Sequence, residues 1–149
     1  MEIANPIFDI LDIVDEWKGK IQRNDEEQEA IFSLDMYGKD IIQYDLKITQ
    51  KKEKKIIEKG YFFFDKIKEQ LVHLLLSEEG YIEINSLTII KKGNSITLKS
   101  VFTKGYNLPP NMRIIRLIEF SRKRNTVELT HKLGKEEEVF SKGIFSRTS

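Results

Sequence analysis

The chain predicts an α+β fold: an antiparallel sheet or half-barrel of about six strands built from three hairpins, with an N-terminal helix and a second helix between the first and second hairpins. Three observations predict it. Apolar residues recur at three-and-four spacing over residues 6–22 and 61–77, they alternate with polar residues in six other short stretches, and the turns between those stretches are too short for parallel crossovers. With 149 residues and 40% hydrophobic content, the sequence fits one domain over 1–149 that is large enough to bury a substantial core.

Each element has its own signal. Asn5 suits an N-cap and Pro6 a first helical position, and Ile7, Ile10, Leu11, Val14, Trp17 and Ile21 then trace one helical face, with Asp9, Asp12, Asp15 and Glu16 ahead of Lys18, Lys20 and Arg23 as the helix dipole favours. From Ala30 the period becomes two: Ala30, Phe32, Leu34 and Met36 share a face, Tyr37-Gly38-Lys39-Asp40 turns, and Ile42, Tyr44, Leu46 and Ile48 return. Segment 51–64 fits strand, loop or helix equally. Phe63, Phe64, Ile67, Leu71, Leu74 and Leu75 suggest the second helix, over Tyr61–Ser77, with Gly80 as its stop.

After Gly80 the sequence reads as strands. Tyr81–Lys92 and Ser95–Thr103 flank a Gly93-Asn94 turn, and Arg113–Arg122 and Thr126–Leu133 flank Lys123-Arg124-Asn125. The intervening Tyr106-Asn107-Leu108-Pro109-Pro110 has the chemistry of an exposed loop. Glu136–Phe140 suggests a short terminal helix or an edge strand, and the Ser/Arg/Thr end a frayed terminus.

Composition narrows function mainly by exclusion. The absence of Cys removes disulfide frameworks, thiol chemistry and thiolate zinc sites, and with an acid-studded N-terminus and no long apolar run it leads to the expectation of a cytoplasmic protein without a membrane partner. The 21 Ile and 19 Lys against 2 Ala and 6 Arg match an AT-rich genome, such as that of a low-GC bacterium, its phages or its mobile elements. Gly-rich phosphate loops, dinucleotide fingerprints and nucleophile elbows are missing from the sequence, so no cofactor or metal is expected and an enzyme is less expected than a binding protein. Glu69 and His73, four apart on the expected second helix, could pair, although a solvated pair is the simpler reading. His131 shares parity with Val127, Leu129 and Leu133, which places it on the apolar face as a satisfied core histidine.

Charge distribution supplies the functional lead. The net charge is +1, but residues 1–40 hold 11 acids and 4 bases while residues 41–149 hold 13 acids and 21 bases, so two opposite poles sum to near neutrality. The acidic pole includes Asp12, Asp15 and Glu16; the basic one gathers Arg113, Arg116, Arg122, Lys123, Arg124 and Lys132 on the last expected hairpin and Lys51, Lys52, Lys54 and Lys55 before it. Complementary poles, with Tyr106 and Leu108 as anchors on a stiff loop, suggest a small soluble protein-binding module, acting as assembly component, accessory subunit or inhibitor through a protein partner or self-association. The alternatives are nucleic-acid binding through the basic 113–132 β-ribbon, and a hydrolase or transferase with an unplaced carboxylate pair.

Overall fold

The computed structural model describes residues 5–148, and in it period-two alternation runs through almost the whole chain. Ten strands result: β1 (Glu16–Arg23), β2 (Glu26–Tyr37), β3 (Ile41–Gln50), β4 (Glu53–Asp65), β5 (Gln70–Ser77), β6 (Ile82–Lys92), β7 (Ser95–Tyr106), β8 (Ile114–Ser121), β9 (Thr126–Leu133) and β10 (Glu138–Arg147). Each pairs antiparallel with its neighbours in sequence, and β1 pairs with β10, so the sheet closes into an up-and-down barrel with no free edge. The predicted α+β fold is therefore corrected to an all-β barrel, and six strands to ten.

Both expected helices give way to strands for identifiable reasons. The N-terminal helix is a 3-10 helix that ends at Ile13; Val14 is extended, and the rest of the segment expected to be helical is β1. Trp17 and Ile21 are four apart, a spacing that puts them on one face of a strand as well as of a helix, and both are buried inside the barrel. In the second segment Ile67 lies in a turn, 92% exposed, while Leu75 and His73 project from β5 into the interior beside Gly60 and Phe62 of β4. Segment 51–64, ambiguous in sequence, is the turn Lys51-Lys52 followed by β4. Glu138–Arg147 is neither helix nor edge strand: its pairing with both β9 and β1 closes the barrel, and of the end expected to fray Ser146 and Arg147 are paired while Ser149 lies outside the described residues.

The two ends of the barrel differ. The 3-10 helix Pro6–Ile13 plugs one end, capped by Asn5, whose side-chain oxygen accepts from the Ile7 amide at 3.0 Å. Ile7, Ile10 and Ile13 are fully buried, and the Trp17 indole N–H donates to the Ile13 carbonyl at 3.0 Å. Below the plug the interior is a packed apolar layer in which the Trp17 and Phe120 rings meet edge to face at 5.6 Å. At the opposite end, the turns β1–β2, β5–β6 and β9–β10 and the loop between β7 and β8 surround an open mouth. No helix among the described residues is long and apolar enough to cross a membrane. Outward positions of β1 and β3 carry Lys18, Lys20, Gln22, Gln43, Asp45 and Lys47.

One glycine is required by close packing rather than by a turn. A Cβ at Gly60 would overlap the ring of Tyr44 on β3. Gly60→Ala should cost about 1–3 kcal/mol by overpacking, read as a lowered urea midpoint at constant slope. Gly38→Ala, where nothing lies within 4 Å, should cost only the strain of a positive φ, about 1 kcal/mol.

Candidate functional site: a polar floor under an open barrel mouth

Parity alone sends several polar side chains indoors. On β8, Ile114, Arg116, Ile118 and Phe120 face inward, so Arg116 sits in the interior, only 7% exposed. On β6 the inward set starts Glu83, Asn85, Leu87, and Glu83 is fully buried. Glu58 reaches the interior beside a bulge in the β3–β4 ladder, where Leu46 pairs with Glu58 and Lys47 with Ile56. These three meet: Arg116 Nε donates to Glu83 Oε1 at 3.0 Å, its Nη2 to Glu83 Oε2 at 2.6 Å, and its Nη1 to Glu58 Oε2 at 2.9 Å. Burial opposes the charge on Arg116, but Glu58 and Glu83 outweigh it and hold its pKa well above the ordinary arginine value.

A second buried chain runs alongside. The Tyr44 hydroxyl lies 2.6 Å from His73 Nε2, and His73 Nδ1 lies 2.8 Å from Ser100 Oγ. Burial, reinforced by the nearby Arg116 charge, lowers the His73 pKa well below the usual imidazole value, so the ring is neutral and donates from one nitrogen while accepting at the other. Burial first, then Glu58, pushes Tyr44 up, so its phenol stays protonated.

His131 faces inward, as its parity predicts, but it is not the satisfied histidine expected. It is 8% exposed, and its Nε2 has no hydrogen-bond partner. Burial, with Arg116 second, lowers its pKa to about 2. Phe140 stands edge-on to its ring with centroids 5.1 Å apart.

Above this floor the mouth opens into a cavity of about 370 Å³, walled mainly by Ile21, Ile57, Leu108, Ile114, Leu133 and Phe140, with Tyr81 at the side. A smaller cavity of about 40 Å³ lies deeper, between Phe32, Tyr44, His73 and Arg116. Ile21, Glu58, His131 and Ser141 belong to the walls of both. Asn107 fixes the loop that carries Leu108 and Pro109, its side-chain amide donating to the Gly80 carbonyl at 2.8 Å.

The residues singled out in sequence are dispersed by the fold. Arg116 is inside the barrel, so it is not part of a surface ribbon. Arg122, Lys123 and Arg124 are exposed at the plugged end, whereas Lys51, Lys52, Lys54 and Lys55 lie at the mouth end, where Lys55 pairs with Glu78 at 2.7 Å. Arg113 is 3.9 Å from Glu137, and Lys132 is half-buried on the outer face. Tyr106 is exposed at the end of β7, and Leu108 lines the cavity. Part of the acidic pole is paired within the chain, Asp12 with Arg122, Asp9 with Lys91 at 3.1 Å and Asp15 with Arg147 at 3.6 Å, while Glu16 is exposed. Glu69 stays in the β4–β5 turn, away from its proposed partner His73 in the interior. No cluster of His, Asp or Glu suited to a metal ion occurs among the described residues. Sequence reasoning missed the roles of Glu58, Glu83, Tyr44, Ser100 and Tyr81; parity was the available signal, for Glu83 with Leu87 and Ile89, for Ser100 with Ile96 and Leu98, and for Tyr44 with Ile42 and Leu46.

Neither a family model nor a curated protein matches the chain. Among solved structures it is similar to the crystal structure of Rv2717c from M. tuberculosis, with a TM-score of 0.76 at 16% identity, covering 99% of this chain and 100% of that one. The likeness extends to the fold.

The neutral histidines set the pH response. Both are kept unprotonated when folded, whereas the unfolded chain takes up protons below the ordinary value of 6.5, so this contribution is complete above that value and is lost as pH falls. Stability should decline from about pH 7 to about pH 5, at up to about 1.4 kcal/mol per pH unit for each histidine. His131→Leu should roughly halve that slope in urea titrations. Arg116→Met, which strands two carboxylates, should cost about 3–5 kcal/mol in the same assay.

Proposed function

We propose that the protein binds a small, largely apolar molecule in the mouth of the barrel, with the molecule's polar end against the floor formed by Glu58, Arg116 and His131. The observation that carries this reading is the cavity of about 370 Å³, whose apolar wall ends on a few convergent polar groups. Ligand sites commonly have about 300–1,000 Å³ and this division of labour, apolar surface for affinity and a few fixed polar groups for orientation. Barrels of eight or more strands supply such space once side chains no longer fill the interior. Here the plugged end is filled and the mouth is not.

A protein-binding role keeps one observation in its favour, since Val139 and Ile144 of β10 are exposed by 57% and 58%. The charge poles add less to it, because Asp9, Asp12 and Asp15 are paired within the chain.

Titration with the neutral fluorophore N-phenyl-1-naphthylamine should give a saturable rise in emission with one site per chain. Leu133→Trp, which places an indole in the cavity wall, should weaken that binding at least about tenfold while leaving the far-ultraviolet circular dichroism unchanged. Equal binding by the variant would place the fluorophore elsewhere and remove the basis of the reading.

A further inference from the structure

The polar floor has an uneven charge. One guanidinium, Arg116, faces two carboxylates, Glu58 and Glu83, and both histidines around it are neutral. At the rim Arg23 and Lys55 offset Glu78 and Glu79, with Lys55 held on Glu78 at 2.7 Å. The buried cluster under the cavity therefore has one negative charge in excess. A ligand carboxylate entering here would meet a guanidinium already engaged through Nε, Nη1 and Nη2, and would add a third anion to a desolvated cluster.

The hydrogen-bonding vacancy has the same sense. Three of the four residues shared by the two cavities can accept a hydrogen bond: Glu58 through its carboxylate, Ser141 through its hydroxyl, and His131 through an Nε2 that is buried without a partner. The fold brings them together. His131 is the cross-strand partner of Ser141 on one side and of Arg116 on the other, and Arg116 holds Glu58. Directly opposed residues bring their Cβ atoms within about 4.5–5.5 Å. A primary ammonium carries three N–H donors and one positive charge, matching the number of acceptors and the missing charge. It would select the His131 tautomer with the proton on Nδ1. Tyr81 and Phe140 add aromatic surface to the same wall, which a cation also favours.

Resting on the reading of the mouth as a small-molecule site, we propose that its ligand is a cationic amphiphile: an apolar body with a primary ammonium head seated between Glu58, His131 and Ser141. The class excluded is the fatty carboxylate of the same length.

Displacement of bound N-phenyl-1-naphthylamine by decylamine, decanol and decanoate, at neutral pH and below micellar concentrations, tests this with the full chain. Decylamine should displace the fluorophore at concentrations at least about tenfold lower than decanol, and decanoate should be the weakest. Glu58→Gln should narrow the gap between decylamine and decanol to less than about threefold. Should that variant not fold, judged by circular dichroism, Ser141→Ala carries the same comparison and should also narrow the gap. Decanol or decanoate displacing as well as decylamine, or an undiminished gap in the folded variant, would overturn the ammonium assignment while leaving small-molecule binding in place. Failure of the fluorophore and of all three compounds to bind would overturn both.

Discussion

Pairing of β1 with β10 turns a meander into a vessel, and everything inside follows from that closure. In an open sheet, the even positions of β8 and the odd positions of β6 would share a face with the option of water. Once the ladder closes, those positions are interior, and Arg116 and Glu83 have to answer for their charges there. The register, held through ten antiparallel pairings, places Ser100, Arg116, His131 and Ser141 in neighbouring positions across β7, β8, β9 and β10. The site is thus a consequence of register, since its members come from distant parts of the chain.

Such a cluster is a poor way to gain stability. Desolvating a guanidinium and two carboxylates costs several kcal/mol per ion, and apolar side chains of similar volume commonly do as well or better. The chain shows that it can pack the alternative, for the half of the interior beneath the plug is filled by Trp17, Phe120, Phe145 and isoleucines, with one guanidinium, Arg147, laid over the Trp17 ring at 4.8 Å. Apart from Arg147, the buried polar side chains lie in the half that faces the mouth. That division is difficult to attribute to folding alone, and it gives the polar layer its functional weight.

How much of this was legible depends on the length over which a pattern runs. The hairpins around Gly38 and Gly93 could be read because β3 and the first half of β7 alternate cleanly, and the one around Asn125 from its turn and the alternating Val127, Leu129 and Leu133. The supposed helices failed where a spacing fits both periods, as with Trp17 and Ile21, or where both faces of a strand are apolar, as in Leu71–Leu76. Closure itself left no mark, since β10 has a mixed, half-exposed pattern, and its importance comes from its two partners. For the site, Arg116 was visible as a residue of interest but was assigned to the surface, although it shares parity with Ile118 and Phe120. Glu58 shares parity with Gly60 and Phe62, but segment 51–64 could not be told apart as strand, loop or helix, so there was no strand to which parity could be applied.

The plug has a kinetic meaning. Among the described residues Ile7, Ile10 and Ile13 seal one end and leave the mouth as the port, so under the proposed reading a ligand enters and leaves by the same way. A newcomer cannot push an occupant out from behind. Exchange of one molecule for another has to wait for spontaneous departure, at a pace that a rising concentration of competitor does not quicken.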